Sequence, residues 1–352
     1  MRVLERLIPV AAVLLASSLA ACKDATSPED VNIGTIEAGF TSATATFNNN
    51  AAFQSMAVLS NLFPVYAGTA ALRASLPTSP LATGPAALAR VRARSQALRV
   101  MASLRSNPQA LFPANVLGKT LVWDTTSHTY VISALTGAPP TGIRILIYAV
   151  NPIVDEPIVP LQQLGYVDLT DESTPAADQL GILLTLGATT IADYTVTLSI
   201  GTTRSTIRAA GFIRNAQGTG EVDFDFLGAV DIQAQTITST GQLTSGAASI
   251  YVDVLETPTT VTLTIRLQQE RNKVELVVQV SDTGDLTGTV KFNGVIVATI
   301  SGTVDGPVFT ASGGRTLSAA ETAALIGIFE KAVDVATDIG DAIYRPAAIV
   351  FN

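Results

Sequence analysis

The alternation of apolar and polar residues becomes regular from Lys119 onward. Runs of Val, Ile and Leu alternate there with Thr, Asp and Ser, and turn residues recur about every ten positions. Alternation with a period of two is typical of an antiparallel strand with one covered face. It occurs in YTVTLSI (194–200), EVDFDF (221–226) and ASIYVDV (248–254), whereas GIRILIYAV (142–150) is nearly all apolar and predicts a strand buried on both faces.

Two hairpins can be predicted in register. Asn293-Gly294 suits a two-residue type I′ turn, because both positions need positive φ. This turn would place Phe292 opposite Val295, and Val290 opposite Val297. A second turn at Arg271-Asn272 predicts four cross-strand pairs: Glu270 with Lys273, Leu267 with Leu276, Ile265 with Val278, and Leu263 with Val280.

Helical patterns precede and follow this β region. Apolar spacing predicts helices over 48–63 and 86–105, within an Ala-rich basic segment, 35–117. Ser318 and Glu321 form a capping-box pattern that opens a predicted helix over 319–339. Its apolar side carries Leu325, Ile328, Val335 and Ile339, and AAIVF (347–351) could add a short strand.

These patterns predict a mainly β (α+β) protein. We expect a large curved antiparallel sheet of about ten to twelve strands over 118–314, with Ala-rich helices before it. The region 315–352 would supply one long C-terminal helix on the apolar face of the sheet, and a tail.

The first 22 residues have the order of an export signal. Arg2 and Arg6 precede an apolar run, 7–16, and small residues follow it. That run is shorter than the roughly 20 residues that a helix needs to span a bilayer. Leu19-Ala20-Ala21-Cys22 resembles the lipobox of bacterial lipoproteins, and the resemblance extends no further along the chain.

The resemblance implies that residues 1–21 are removed and that the sulfur of Cys22 receives a diacylglyceryl group. The alternative is a secreted protein whose cysteine is incidental. The polar stretch 22–34 would then be a flexible tether. We expect the protein to be located in the cell envelope, on the periplasmic side of the outer membrane. Lys23-Asp24 do not by themselves distinguish the inner from the outer membrane. Cys22 is the single cysteine, which leaves the mature domain without a disulfide.

Charge is distributed unevenly along the chain. The region from residue 38 to 123 contains no acid, whereas the whole chain has a net charge of −8. Its basic residues are Arg73, Arg90, Arg92, Arg94, Arg99, Arg105 and Lys119. They could dock on the acidic remainder, form a solvated face, or contact anionic lipid headgroups. A nucleic-acid partner is not expected for an exported acidic protein.

The sequence contains no motif for a nucleophile, a metal or a cofactor. His128 is the single histidine, which excludes a two-histidine metal centre within the chain. We expect it to be exposed at a turn. Asp223 and Asp225 would lie on the outward face of one strand, and Asp282 and Asp285 in a turn. Another acidic group, Glu330, Asp334, Asp338 and Asp341, would form one side of the C-terminal helix, where it could hold a cation but more often is solvated.

Three functions are compatible with these features. The first is a non-catalytic binding module, possibly for a lipid or other apolar ligand held between sheet and helix. The second is a structural or assembly lipoprotein that contacts other envelope proteins. The third is a hydrolase that uses paired carboxylates. A cavity beneath the C-terminal helix would favour the first, whereas a filled core with a flat exposed patch or an open edge strand would favour the second.

Overall fold

Most of the described chain is β-strand. The computed structural model describes residues 111–151, 156–214, 217–269, 272–303 and 306–329. The predicted helices over 48–63 and 86–105 lie outside these residues. Residues 111–118 form turns that contribute buried Leu111, Phe112 and Val116 to the core.

The described strands follow one another with short connections. The first nine are β1 (Lys119–Asp124), β2 (Thr129–Ser133), β3 (Gly142–Tyr148), β4 (Val150–Asn151), β5 (Glu156–Pro157), β6 (Gln163–Asp171), β7 (Asp178–Leu186), β8 (Thr189–Ile200) and β9 (Arg204–Ile213). The others are β10 (Val222–Asp231), β11 (Thr236–Ser245), β12 (Ala248–Glu256), β13 (Thr260–Gln269), β14 (Asn272–Ser281), β15 (Leu286–Phe292), β16 (Val295–Thr303) and β17 (Gly306–Ala311). A short 3₁₀ turn (Ser312–Gly314) precedes helix α1, which covers 319–329 of the described residues.

Fifteen of these strands form one open sheet in the order β17-β16-β15-β14-β13-β12-β11-β10-β9-β8-β7-β6-β3-β1-β2. Every pair in it is antiparallel except β1 with β3, which is parallel. Strands β4 and β5 form a separate two-stranded ribbon. The mainly β class is therefore confirmed.

The expected number of strands, ten to twelve, was too low. Several strands lack a strong apolar alternation because small residues occupy their covered face. Ser205, Ala209 and Gly211 do so in β9, and Ser239 and Gly241 in β11. Small side chains give little hydrophobic signal, although their positions in the ladder are regular.

The two faces of the sheet differ from β7 to β17. One buried row crosses eleven strands, from Leu180 to Ala311, and we call this side the inner face. Its members are Leu180, Val196, Ala209, Phe226, Gly241, Val252, Ile265, Leu276, Val290, Ala298 and Ala311. The alternate residues lie on the outer face and are mostly Thr and charged side chains.

Glycine makes room for an aromatic ring on the inner face. Gly241 lies directly beside Phe226 in the ladder, and a Cβ atom at Gly241 would overlap the Phe226 ring. The ring therefore covers the backbone of β11, so that the missing side chain leaves no gap. This packing explains a glycine in the middle of a strand.

The β13–β14 hairpin differs from its predicted register by two residues. Gln269 pairs with Asn272, so residues 270 and 271 lie between them, one position earlier than predicted. The partner of Leu267 is consequently Val274 instead of Leu276, and that of Ile265 is Leu276. Because the shift is even, the residues predicted to face inward stay on the inner face, and Val277 stays on the outer face.

In the β15–β16 hairpin the turn was predicted correctly, and one pair was not. Phe292 pairs with Val295 across Asn293-Gly294, and Asn293 has φ 49°. The register then shifts between Val290 and Lys291, so that Val290 pairs with Ala298 instead of Val297. A bulge inserts one residue in this way, and periodicity alone does not reveal it.

Helix α1 starts at the predicted capping box. The Glu321 N–H donates to Ser318 Oγ at 3.2 Å, and the Ser318 N–H donates to Glu321 Oε2 at 2.8 Å. Leu325 and Ile328 are buried in the same core as the inner face, together with Phe329. The second half of the predicted helix, with Val335 and Ile339, lies outside the described residues, as does 347–351.

Candidate functional site

The predicted lipidation site cannot be located in the fold. Leu19, Ala20, Ala21 and Cys22 lie outside the described residues, and the anchor stays a prediction. The same holds for the basic residues from Arg73 to Arg105 and for the acidic group on 330–341. Lys119, the last basic residue of that region, is exposed at the start of β1.

His128 lies in the tight connection between β1 and β2. It is exposed, has φ 51°, and its ring meets Trp123 edge-on at 6.5 Å between centroids. Ser127 Oγ donates to Asp124 Oδ2 at 2.7 Å, and Asp124 Oδ1 accepts from the Thr126 N–H. The backbone N–H of Thr126 is the main cause that lowers the pKa of Asp124. These two hydrogen bonds stabilise the turn, and the Ser127 hydroxyl is engaged as a donor to the Asp124 carboxylate.

The outward carboxylates of β10 are where the alternation predicts them. Asp223 and Asp225 are exposed, and Arg208 donates to both Asp225 oxygens, at 2.8 and 2.6 Å. The hydrogen bonds from Arg208 lower the pKa of Asp225. A general acid needs a raised pKa, so Asp225 is unsuited to that role.

Asp282 and Asp285 lie in the turn between β14 and β15. Asp285 Oδ2 accepts from Thr283 Oγ1 at 2.6 Å, and the Asp285 N–H donates to Ser281 Oγ at 2.9 Å. Within the described ranges, no three His, Cys, Asp or Glu residues converge in a way that could hold a metal ion. None of the described helical residues forms a segment long and apolar enough to cross a bilayer.

A charged network follows the outer face across four strands. Glu275 accepts from Lys291 Nζ at 2.8 Å and from Arg266 Nε at 2.9 Å, and the Arg266 guanidinium lies 4.9 Å from the Tyr251 ring. Lys291, then Arg266, lowers the pKa of Glu275 against the opposing effect of burial. The network connects the four strands β12, β13, β14 and β15. Each of its three charged side chains has an oppositely charged partner.

A second ion pair is largely buried although it lies on the outer face. Arg144 Nε and Nη2 donate to the two Asp168 oxygens, both at 2.7 Å, and the guanidinium stacks 3.7 Å from the Tyr166 ring. Gly137 approaches Arg144, because the connection from β2 to β3 crosses the outer face there. Sequence reasoning missed this pair, since 24 residues separate its members.

Three large apolar side chains in the described part of α1 are buried. Leu325 is 1 % exposed, Ile328 is 0 % and Phe329 is 2 %. Arg315 Nη1 donates to Glu321 Oε1 at 2.6 Å beside the start of the helix. The backbone N–H of Ser318, and then Arg315, lower the pKa of Glu321 to about 2. The buried side chains of the described part of α1 therefore belong to the same hydrophobic core as the inner face.

Two hydroxyl groups of the inner face, those of Tyr194 and Ser205, are buried without a hydrogen-bond partner in the described structure. Tyr194 Oη accepts and donates no hydrogen bond in the described structure, and the ring packs edge-on to Phe224 at 5.4 Å. Burial raises the pKa of this hydroxyl far above its ordinary value. An unpaired buried hydroxyl is costly, so that its position needs an explanation.

The two end strands of the sheet differ in how they are protected. β17 carries Pro307, and a proline in a sheet directs its missing N–H toward the free edge. β2 reads TYVIS, with neither proline nor charge, and no described strand pairs with its free side. Val131 is 38 % exposed and Ile132 is 49 % exposed. The uncharged YVIS stretch is visible in the sequence, but it does not show by itself that β2 ends the sheet.

Comparison with known proteins gives no relative. No protein-family model matches the chain, and no curated protein or solved structure matches it significantly. The fold and the surfaces described above are therefore the basis for assigning a function.

Proposed function

We propose that this protein is a non-catalytic, lipid-anchored assembly protein of the bacterial cell envelope. The observation that carries the proposal is the edge strand β2, which has neither charge nor proline, pairs on one side only among the described strands, and exposes Val131 and Ile132. Exposed edge strands are normally protected by charged side chains, proline or bulges, because their unpaired backbone N–H and C=O groups can pair with other strands. An edge without these features is suited to receive an extended segment of a partner protein.

The contact beneath α1 supports assembly over ligand transport. A carrier of apolar ligands needs a lumen between helix and sheet, whereas Leu325 and Ile328 are packed against the core. Two carboxylates with lowered pKa values, Asp225 and Glu275, are held in ion pairs on the outer face. These groups stabilise cross-strand contacts and are poorly suited to acid catalysis.

The anchor depends on Cys22, the residue that the lipobox resemblance marks. Two or more acyl chains give stable anchoring where one chain is marginal. Cells that process lipoproteins should incorporate a labelled fatty acid into the wild-type protein and not into Cys22→Ala. Equal labelling of both proteins would remove the anchor from the proposal.

Photo-crosslinking in cells tests the edge directly. A photoreactive residue at position 132 should give discrete adducts, whereas the same residue at position 308, on β17, should give none. Position 308 is a matched control because Val308 is 55 % exposed on the opposite end strand. Adducts of equal yield at both positions, or none at 132, would contradict a role for β2.

A second candidate function is the binding of an apolar ligand. The inner face is apolar across eleven strands. The unpartnered Tyr194 hydroxyl on this face would suit the polar group of a bound lipid.

Tyr194→Phe separates the two candidates. If the hydroxyl simply lacks a partner, its removal should raise the free energy of unfolding by about 1 kcal/mol. If it binds a lipid headgroup, native mass spectrometry of the wild-type protein should show a co-purified lipid that the variant loses. A wild-type protein without lipid, combined with a stabilised variant, would exclude this second function.

A further inference from the structure

The free edge of β2 has the properties of a surface that pairs with itself. We propose that β2 pairs antiparallel with β2 of a second copy of this chain, so that two sheets join into one. This inference rests on the proposed role of β2 in assembly and names its partner. A two-fold axis through Val131 would place Tyr130 opposite Ile132, and Thr129 opposite Ser133.

The absence of charge favours a second copy as the occupant. Residues 125–143 contain no Asp, Glu, Lys or Arg, so that two copies of this edge meet without like-charge repulsion. This uncharged range includes the connections that precede and follow β2 in the chain, 125–128 and 134–141. A partner chosen by charge would have nothing to recognise here.

The faces of the two sheets also match in this arrangement. Ile132 pairs with Leu121 on the inner side, and Val131 pairs with Val122 on the outer side. A two-fold axis perpendicular to the sheet keeps inner with inner and outer with outer. The exposed Ile132 would then contact Tyr130 of the other copy, and the two Val131 side chains would contact each other across the axis.

The size of the edge sets the strength of the interaction. The strand is only five residues long. Pairing of two such strands buries much less surface than a permanent dimer does. We therefore expect a weak dimer in solution that anchoring in one membrane strengthens by raising the effective concentration. The opposite edge, β17, does not pair in this way because Pro307 removes a donor.

Sedimentation velocity of the chain from residue 22, with Cys22→Ser, tests the inference at concentrations up to about 1 mM, where weak dimers are detected. We expect wild-type dimers, a loss of at least about tenfold in association for Val131→Lys, and no change for Val308→Lys. Circular dichroism should show equal folding of all three proteins. A monomeric wild type, or an equal effect of the two substitutions, would overturn the inference.

The cellular crosslinks distinguish this inference from the assembly proposal itself. Two differently tagged copies should both appear in the adduct formed at position 132. An adduct at 132 that contains another protein and never a second copy would overturn homotypic pairing and leave assembly through β2 standing. No adduct at 132 would overturn both.

Discussion

The inner and outer faces of the sheet use opposite means to hold the same strands together. The inner face is apolar over eleven strands and includes a ring packed on a glycine, Phe226 on Gly241. The outer face carries threonines and cross-strand ion pairs such as Arg266 with Glu275. Burial stabilises in proportion to apolar area, whereas exposed ion pairs contribute little. Stability should therefore depend mainly on the inner face.

The largest contrast is expected between neighbouring residues of β13. Leu263 is 1 % exposed on the inner face, and Thr264 is its neighbour on the outer face. Leu263→Ala should lower the free energy of unfolding by about 2–5 kcal/mol, because it leaves a cavity. Thr264→Ala should change it by no more than about 0.5 kcal/mol. Urea unfolding measures both, and similar losses would contradict the assignment of the faces.

An intermediate effect is expected where the outer face is buried. Asp168→Asn breaks the bidentate pair with Arg144 under the β2–β3 connection, and should cost about 2 kcal/mol. Asp225→Asn breaks an equally bidentate pair with Arg208 that is exposed, and should cost about 0.5 kcal/mol. The geometry is matched, so the difference measures burial. Equal losses in urea unfolding would show that burial does not matter here.

The smallest effect should appear as a dependence on pH. The pKa values of Glu275 and Asp225 are lowered in the folded protein, by Lys291 with Arg266 and by Arg208 respectively. Their contribution is complete above the unfolded carboxylate pKa of about 4, and is lost as the pH falls through the lower folded values. Thermal unfolding between about pH 6 and pH 2 should show this decline.

Glu275→Gln is the control for that decline. It should reduce the slope of stability against pH by removing one of the titrating groups, at a cost of about 0.5 kcal/mol near neutral pH. The loss of stability caused by Leu263→Ala should not depend on pH, because this substitution removes no titrating group. A pH slope that Glu275→Gln leaves unchanged would assign the decline to other carboxylates.

Local sequence patterns correctly predicted those structural features that depend on residues close together in the chain. Ser318 with Glu321 identified the start of α1, and Asn293-Gly294 identified a hairpin turn. The inward alternation of β13 and β14 was also correct, because a register error of two residues preserves the face. The bulge at Val290 and the turn one position earlier than predicted have no such local signal.

Features that depend on distant contacts were not predicted. The pair of Arg144 and Asp168 forms because β3 and β6 are neighbours, and the connection after β2 covers it. That β2 ends the sheet follows from β1 pairing with β3, a parallel contact that no hairpin pattern indicates. The candidate surface on Val131 and Ile132 therefore became visible only once the strand order was known.

The strand order from β6 to β17 has a consequence for how such a protein can change. Each strand from β7 to β16 is bonded to the strand that precedes it and the strand that follows it in the chain. A hairpin could be duplicated or deleted within this series, and the remaining strands would keep their neighbours and their sidedness. Sheet width is thus a property that evolution or an engineer can alter in steps of two strands, while both termini of the series stay as they are.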